Sequence, residues 1–429
     1  MKKSVIIAIL SLMAAHAVSA QTASQYFLDH NVYSYRVNPA SQWDDNTKAY
    51  FGMGLGCINA AVNSNIGLKN LLFPVNSQLV TGLNKEVPAD AFLSGLNDNN
   101  VLGLGINENL ISFGERTDGH QTTVELNLRS ETSADIPKDL FVLLKDDSQK
   151  DRMTVGKIGM EASNYLELAV GNSFKRDDLF FGFRVKVLFG LGGSSLTLDN
   201  TTVEPGPDGG FIVSTTGRTE TAVTPLFIKD DKVVLKPRRL ISESLSGLGL
   251  GVDLGVEYHL DRLRLDLALS DIGAMRWRYN YIGGINWKGE VDSDTNVKDE
   301  IVSVLSTIET NSPAWSALHA GFSAGARYSV SPIFSAGLFL SAKKAGTLSF
   351  AEARAGATLT PCNFFSIAAT AAAGTFGGSI GCAATLRAAG FNLYAAIDQI
   401  MFEVTQQKVP INAPHTSVSA GLVLTFKRD

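Results

Sequence analysis

Long apolar runs, cysteine and proline are all scarce in this chain of 429 residues. Beyond residue 20 no stretch approaches the roughly 18 consecutive apolar residues that a transmembrane helix needs, which argues against helical membrane spans. The chain has 13 prolines and 40 glycines, a balance that suits many strands joined by turns. A closed β-barrel is then the one way in which such a chain can cross a lipid bilayer.

Positive charge is also in short supply. The formal net charge is −5, and it becomes more negative if Lys2 and Lys3 are removed with an N-terminal leader. Proteins that bind nucleic acid present a basic face or stripe to the phosphates. The charge balance therefore excludes nucleic acid as a partner.

The sequence lacks the common motifs of enzymes. Its six histidines show no metal-ligand spacing, and there is neither a phosphate-binding Gly-rich loop nor a Gly-x-Ser-x-Gly motif. We therefore expect no catalytic activity, no cofactor and no bound metal. Three cysteines, Cys57, Cys362 and Cys382, are an odd number in an oxidising compartment, and we interpret all three as free structural residues.

The N-terminus has the features of a secretory signal peptide. Lys2 and Lys3 precede an apolar stretch from Val5 to Ala15 that is too short to span a membrane, and Val18-Ser19-Ala20 supplies small residues for cleavage. The sequence predicts removal of residues 1–20 near Ala20, which places the mature protein outside the cytoplasm.

Strict alternation of apolar and polar residues predicts the fold. From Leu248 to Leu260 every second residue is a large apolar one, with Gly, Asp, Glu and His between them; after Asp261-Arg262 the alternation resumes. A period of two places the apolar side chains on one face of a strand and the polar ones on the other. Because the polar face is half glycine and carries carboxylates, the pattern is typical of a transmembrane barrel with a polar lumen.

The same alternation yields fourteen candidate strands between Lys48 and Phe426. Short turns such as Asp261-Arg262 fall at every second connection, and most of the intervening connections are long, for example residues 59–108 and 192–247. This asymmetry is typical of the periplasmic and extracellular ends of an outer-membrane barrel. We predict an all-β, up-and-down antiparallel barrel of about 14 strands over residues 46–429, in the bacterial outer membrane.

Charged residues at inward positions predict the lining of the lumen. They are Glu125, Arg129, Glu167, Arg184, Lys186, Asp253, Glu257, Arg264, Asp266, Arg327, Glu352 and Arg354. One interpretation is a salt-bridged interior that fills and rigidifies the barrel. The other is a lining that selects a polar or amphipathic solute.

Residues 21–45 differ from the rest, because they show no strand alternation. The segment holds Tyr33, Tyr35, the turn-forming pair Asn38-Pro39, and Trp43. Aromatic side chains need a surface to pack against, which a solvated periplasmic linker would not provide. We therefore predict a hatch segment that lies inside or beneath the lumen.

Two loops and the last strand carry further signals. Residues 137–145 and 297–310 have helical apolar spacing, with Leu140 and Leu305 among the apolar residues, and predict loop helices over the barrel mouth or a mobile gate.

The last strand alternates up to Phe426. It resembles the signal recognised by the barrel-insertion machinery, although Lys427-Arg428-Asp429 follow it.

Three pieces of sequence support a resemblance to a known family. They are residues 31–40, which end in Asn38-Pro39-Ala40, residues 248–258, and residues 271–277. In this order they resemble an uncharacterised family of Bacteroidota outer-membrane β-barrels related to the long-chain fatty-acid transporter superfamily. The resemblance implies a fourteen-stranded barrel with an N-terminal hatch, and relatives that include both transporters and components of type IX secretion and gliding.

Two functions remain open on the sequence alone. In the first, a hydrophobic or amphipathic small molecule is captured by the extracellular loops and passes the hatch by passive uptake. In the second, the barrel is a non-transporting scaffold whose long loops dock a secretion or surface-assembly partner. Outer-membrane lipid and the insertion machinery are expected partners in both cases.

Overall fold

The computed structural model describes residues 22–44, 46–76, 78–145, 152–206, 211–223, 226–229, 232–235, 245–278, 281–291, 313–345, 348–388, 390–400 and 414–427. The signal-peptide prediction, Gln21, Asp45 and the predicted helix at 297–310 lie outside these residues. In the described part of the chain, no helix is both long enough and apolar enough to cross a membrane.

Fourteen antiparallel strands form one closed barrel, as the alternation predicted. Each strand pairs with the next along the chain, and the first strand pairs with both the second and the last, which closes the sheet. The strands are β1 Thr47–Ser64, β2 Asn99–Thr117, β3 His120–Pro137, β4 Ile158–Arg176, β5 Leu179–Pro205, β6 Gly247–Leu260, β7 Leu263–Arg278, β8 Gly321–Ser331, β9 Phe334–Ala345, β10 Leu348–Cys362, β11 Phe365–Gly374, β12 Gly377–Ala388, β13 Phe391–Ile397 and β14 His415–Lys427.

The outer face of the barrel is an apolar belt. Leu250, Leu338 and Leu424 are 64%, 60% and 54% exposed, although each lies within a barrel strand and not in a loop. A soluble barrel would bury such residues, whereas lipid stabilises them. Two-residue connections such as 177–178 and 261–262 mark the periplasmic end, and the long connections mark the extracellular end.

Several strands extend beyond their predicted ends on the extracellular side. β5 continues to Pro205. From Gly192 onward it no longer pairs with β6 but with the strand Phe211–Val223, and that strand pairs with Tyr281–Val291. These residues were predicted to be loops, because they lack the regular lipid-facing alternation of the membrane strands. A short strand, Pro313–Ala317, pairs with the upper part of β7 before β8 begins.

The extracellular loops also carry small elements that form a cap. The helix predicted at 137–145 is present as Lys138–Lys145, and it joins the helices Leu68–Leu71 and Ala89–Leu93 and the hairpin Leu72–Val75 with Gln78–Thr81. Val87, Phe92 and Leu96 form the buried centre of this cap, and Phe141 of the helix packs against them. The remaining short strands are Met153–Val155 and the hairpin Leu226–Lys229 with Lys232–Leu235. All three cysteines are free, as expected.

Candidate functional site

The first described segment, residues 22–44, lies inside the barrel. It forms two 3-10 helices, Ala23–Phe27 and Val32–Arg36, and the Asn31 side chain accepts a hydrogen bond from the Tyr33 amide at the start of the second. Tyr33, Tyr35 and Trp43, which the sequence analysis selected, are 1%, 2% and 3% exposed. We refer to residues 22–44 as the hatch.

An aromatic cluster joins the hatch to the wall. Tyr35 and Tyr50 of β1 share a hydrogen bond of 2.6 Å between their hydroxyls, and the Trp43 ring packs edge-on against the Tyr50 ring at 5.2 Å. Tyr33 packs against Tyr394 of β13, with ring centroids 6.0 Å apart. The strands of the barrel direct most of their large apolar side chains toward lipid. The aromatic side chains of the hatch therefore supply much of the apolar core inside the barrel.

The turn at Asn38-Pro39 approaches the wall where the strands carry glycine. Asn38 accepts the Ala40 amide at 2.9 Å and donates to the Val256 carbonyl at 3.1 Å. A Cβ atom on Gly182 would lie 2.0 Å from the Pro39 carbonyl oxygen, and one on Gly255 would lie 2.0 Å from the Asn38 Oδ1. The glycines of the polar face therefore make room for the hatch backbone.

Polar contacts to several other strands hold the remainder of the hatch. Asp398, directly after β13, accepts the Ala23 and Ser24 amides at 2.8 and 2.7 Å. The Tyr26 hydroxyl donates to Asp266 at 2.6 Å, and the Ser41 hydroxyl donates to Glu257 at 2.7 Å. These contacts reach strands on opposite sides of the barrel, so the hatch spans the lumen.

Asp44 connects the end of the hatch to the wall at the periplasmic end. Its carboxylate lies 3.4 Å from His30 and 2.6 Å from Arg387 of β12, and it accepts the Asn46 amide at 2.8 Å. The hydrogen bond from His30, followed by those from Asn46 and Arg387, holds the pKa of Asp44 below its usual range, against the opposing effect of burial. The charged form of Asp44 therefore favours the closed arrangement.

A network of ion pairs lies directly above the hatch. Arg36 of the hatch contacts Glu125 of β3 at 2.6 Å, and Glu125 also contacts Arg184 of β5. Arg184 and Lys186 both contact Asp253 of β6, at 3.0 and 2.6 Å. All these strand residues are at least nine-tenths buried, so each charge depends on its partner.

Asp271 occupies the centre of this network through a bulge in β7. It accepts Arg129 at 2.7 and 2.9 Å and Lys186 at 2.6 Å, and Lys343 of β9 lies 3.4 Å away. The register between β6 and β7 shifts at this point, and Asp271 adopts a left-handed backbone with φ of 55°. Plain alternation would direct this side chain to lipid, and the extra residue turns it into the lumen.

A second charged group lies on β10 and β14. Arg354 is 1% exposed and contacts Glu352 at 2.8 Å, and Glu352 accepts His415 at 2.9 Å. Arg354 also donates to the Ser24 hydroxyl of the hatch at 3.2 Å. This group therefore fixes the beginning of the hatch, as the Arg36 pair fixes its middle.

The extracellular half of the lumen is lined by an apolar cluster. Tyr165, Leu188, Met275 and Trp277 pack together on inward positions of β4, β5 and β7, with Leu318 against them. β3 also approaches β9 and β10 across the lumen. The space left between hatch and network is about 40 Å³, room for a few water molecules. At this level of the lumen, the described residues therefore leave no room for a solute.

The structure places every predicted lumen residue on an inward position, and only Arg264, with 28% of its side chain exposed, is less than nine-tenths buried. Four further charged residues of the lumen were not predicted from the sequence: Arg36, Glu131, Asp271 and Asp398. The sequence does contain a sign of Asp271: it is an acidic residue at a position where the alternation of its strand predicts an apolar one. Among the residues described, no cluster of three His, Cys, Asp or Glu could hold a metal ion.

Comparisons with known proteins find one matching family and several similar solved structures. The model of a family of unknown function (DUF5723) matches residues 39–398. No curated protein matches the chain. The chain is similar to the Pseudomonas putida toluene transporter TodX, with a TM-score of 0.42, 9% identity and 96% of each chain covered. It is also similar to the Ralstonia pickettii toluene transporter TbuX, with a TM-score of 0.46, 8% identity, and 96% of this chain and 99% of that one covered.

Proposed function

We propose that this chain, which belongs to the family of unknown function DUF5723, takes up a hydrophobic or amphipathic small molecule across the outer membrane by movement of its hatch. The observation that carries the proposal is the pair of apolar surfaces above the hatch, one in the extracellular cap and one in the lumen. An aqueous pore would need neither, because its walls contact water.

The cap supplies a surface for capture. The centre of the cap is buried. The helix Lys138–Lys145, in contrast, has five consecutive apolar residues from Leu140 to Leu144, and none of them is fully buried. Half-exposed apolar side chains that are rimmed by polar loops are a common feature of ligand-binding surfaces. A molecule released from the cap would meet Trp277 and Leu188 inside the barrel.

Passage then requires the hatch to move. The ion pairs of Arg36 and the hydrogen bonds of Asp398 are polar contacts that water can replace, and the aromatic cluster that joins the hatch to the wall must separate as well. The wall also has an irregular point beside the hatch, since the register of β1 shifts between Met53 and Cys57 against β2, and between Phe51 and Cys57 against β14. A hatch that shifts at these contacts would open the lumen without unfolding the barrel.

Deletion of residues 21–45 tests the proposal in liposomes. Full-length protein should give slow, saturable uptake of a fluorescent fatty acid, and the deletion should give faster uptake that no longer saturates. Heat-modifiable migration on gels establishes that both barrels are folded. If neither form moves an apolar solute, the transport function is wrong.

The buried ion-pair network favours one alternative, a barrel that serves as a scaffold for a secretion or surface-assembly partner. Charges that cross the lumen narrow any path for an apolar molecule, and separating them in a dry interior is costly. This alternative predicts no uptake by either form, and recovery of a partner with the full-length protein that is lost when the extracellular loops are shortened.

A further inference from the structure

Three basic residues stand side by side at the periplasmic end of the wall. His259 of β6 pairs in register with Arg264 of β7, and Arg264 pairs in register with Arg327 of β8. Residues directly opposite each other in a sheet point to the same face, here toward the lumen, and like charges in such positions repel. Glu257, 2.5 Å from the His259 ring, and Asp266, 3.4 Å from Arg264, supply part of the negative charge that such a row needs.

The row lies on one pocket beneath the hatch. The pocket has a volume of about 190 Å³ and is bounded by the turns at 261–262 and 331–333 and by Asp29 of the hatch. Arg262, which is exposed, and Ser335 also line it. Among the lining residues three arginines and one histidine face two acids, Asp29 and Asp261.

The acids present do not use all the donors of these side chains. Arg327 contacts Asp29 at 2.6 Å and the Ser335 hydroxyl at 2.8 Å. The Arg264 Nε lies 3.4 Å from Asp266 and makes no hydrogen bond among the described residues. Arg262 makes no ion pair within the part of the chain that the structure describes. The pocket therefore presents guanidinium donors that water or an anion must satisfy.

We propose that this pocket binds a small oxyanion, the carboxylate or phosphate group of a molecule on the periplasmic side. Guanidinium groups bind both through paired, charge-assisted hydrogen bonds, and a pocket of this volume holds such a group with its first water molecules. The site faces away from the extracellular cap and is independent of whether the barrel transports a solute.

The pocket is also linked to the hatch through Asp29. The Asp29 carboxylate contacts the Arg327 guanidinium and accepts a hydrogen bond of 2.6 Å from the Thr360 hydroxyl. It therefore competes with an incoming anion for Arg327. Binding of an oxyanion therefore weakens the Arg327–Asp29 contact. Removal of the Asp29 charge must therefore raise the affinity of the pocket for an anion.

Calorimetric titration of the full-length barrel in uncharged detergent, at constant ionic strength, tests the site with sodium phosphate and sodium acetate. We expect one saturable site. Arg327→Gln should weaken binding by about tenfold, and Asp29→Asn should tighten it by about tenfold, since one charge-assisted hydrogen bond accounts for roughly that factor. Arg262→Gln, which alters an exposed residue that forms no ion pair with the described residues, should weaken binding severalfold even if Arg327→Gln fails to fold.

Matched controls lie in the turn between β4 and β5, at the same end of the barrel. Arg176→Gln and Asp177→Asn change charge equally, and the asparagine preserves the positive φ of 55° at residue 177. Neither should alter binding. The proposal is overturned if no saturable binding occurs, or if the control variants change the affinity as much as the pocket variants.

The source of the oxyanion follows from a second titration in phosphatidylglycerol nanodiscs. If free phosphate binds in detergent but not in the nanodiscs, the headgroup of an inner-leaflet lipid occupies the pocket. If the affinity is the same in both, the ligand is a soluble periplasmic molecule.

Discussion

The backbone amide of Asp271 donates a hydrogen bond of 2.7 Å to the Asp253 carboxylate on the neighbouring strand. Asp253 thereby stabilises the bulge that turns Asp271 into the lumen, and both carboxylates then contact Lys186 at 2.6 Å. One acidic residue thus sets the backbone conformation that places the second. Together they neutralise the cations above the hatch.

Asp271→Ala should be severely destabilising. It removes a buried carboxylate that Arg129 and Lys186 share, so that these cations keep only Glu131, Glu167 and Asp253, and it places alanine at a positive φ. We expect the free energy of unfolding in urea to fall by about 3–5 kcal/mol. Asp199→Asn is the control, because Asp199 forms an exposed pair with Lys157 and should change stability by less than about 1 kcal/mol. Equal effects of the two variants would contradict the role assigned to Asp271.

Gly182→Ala and Gly255→Ala should displace the hatch. Each new Cβ would lie 2.0 Å from a hatch oxygen, at a distance that no small adjustment accommodates. We expect trypsin to cleave after Arg36 in both variants while the barrel still migrates as a folded species. Gly192→Ala on the same strand as Gly182 meets only a carbonyl at 3.4 Å and should remain resistant. Resistance of all three would show that the hatch does not depend on these contacts.

Asp44 should make the stability of the closed form depend on pH in the acidic range. Its pKa is lowered in the folded protein, so its contribution is complete above about pH 4, the unfolded value, and is lost as the pH falls toward the folded value. The thermal midpoints of the parent protein and Asp44→Asn should therefore differ at pH 6 and converge below pH 4. A difference that grows on acidification would contradict the assignment.

Phe92→Ala should impair capture without disturbing the barrel. Phe92 is 2% exposed at the centre of the cap, and removing its ring typically costs about 3–5 kcal/mol within the local unit. We expect a higher KM for uptake and unchanged heat-modifiable migration. Leu79→Ala, on the same cap but 58% exposed, is the control and should retain the parental KM. An unchanged KM in Phe92→Ala would show that the cap takes no part in uptake.

Alternation predicted the barrel and its inward charges because lipid imposes a period of two on every membrane strand. It could not predict Asp271, since a bulge changes the phase of the pattern and the sequence shows only an acidic residue out of place. It also could not predict the partners of Arg36, because the hatch has no periodicity and its contacts are set by tertiary packing. Gly255 was visible in the sequence as part of the polar face of β6, but the contacts of Gly255 and Gly182 with Asn38-Pro39 were not.

A disulfide between the hatch and the wall tests the central claim that hatch movement admits the solute. The Ser24 and Thr370 hydroxyl oxygens lie 2.9 Å apart, where a Ser24→Cys, Thr370→Cys pair can form a bond once Cys57, Cys362 and Cys382 are replaced by serine. The account predicts that oxidised protein in liposomes takes up no fatty acid, that reduction restores uptake, and that Ser24→Cys alone is insensitive to oxidation. Equal uptake by the oxidised and reduced double variant would contradict it.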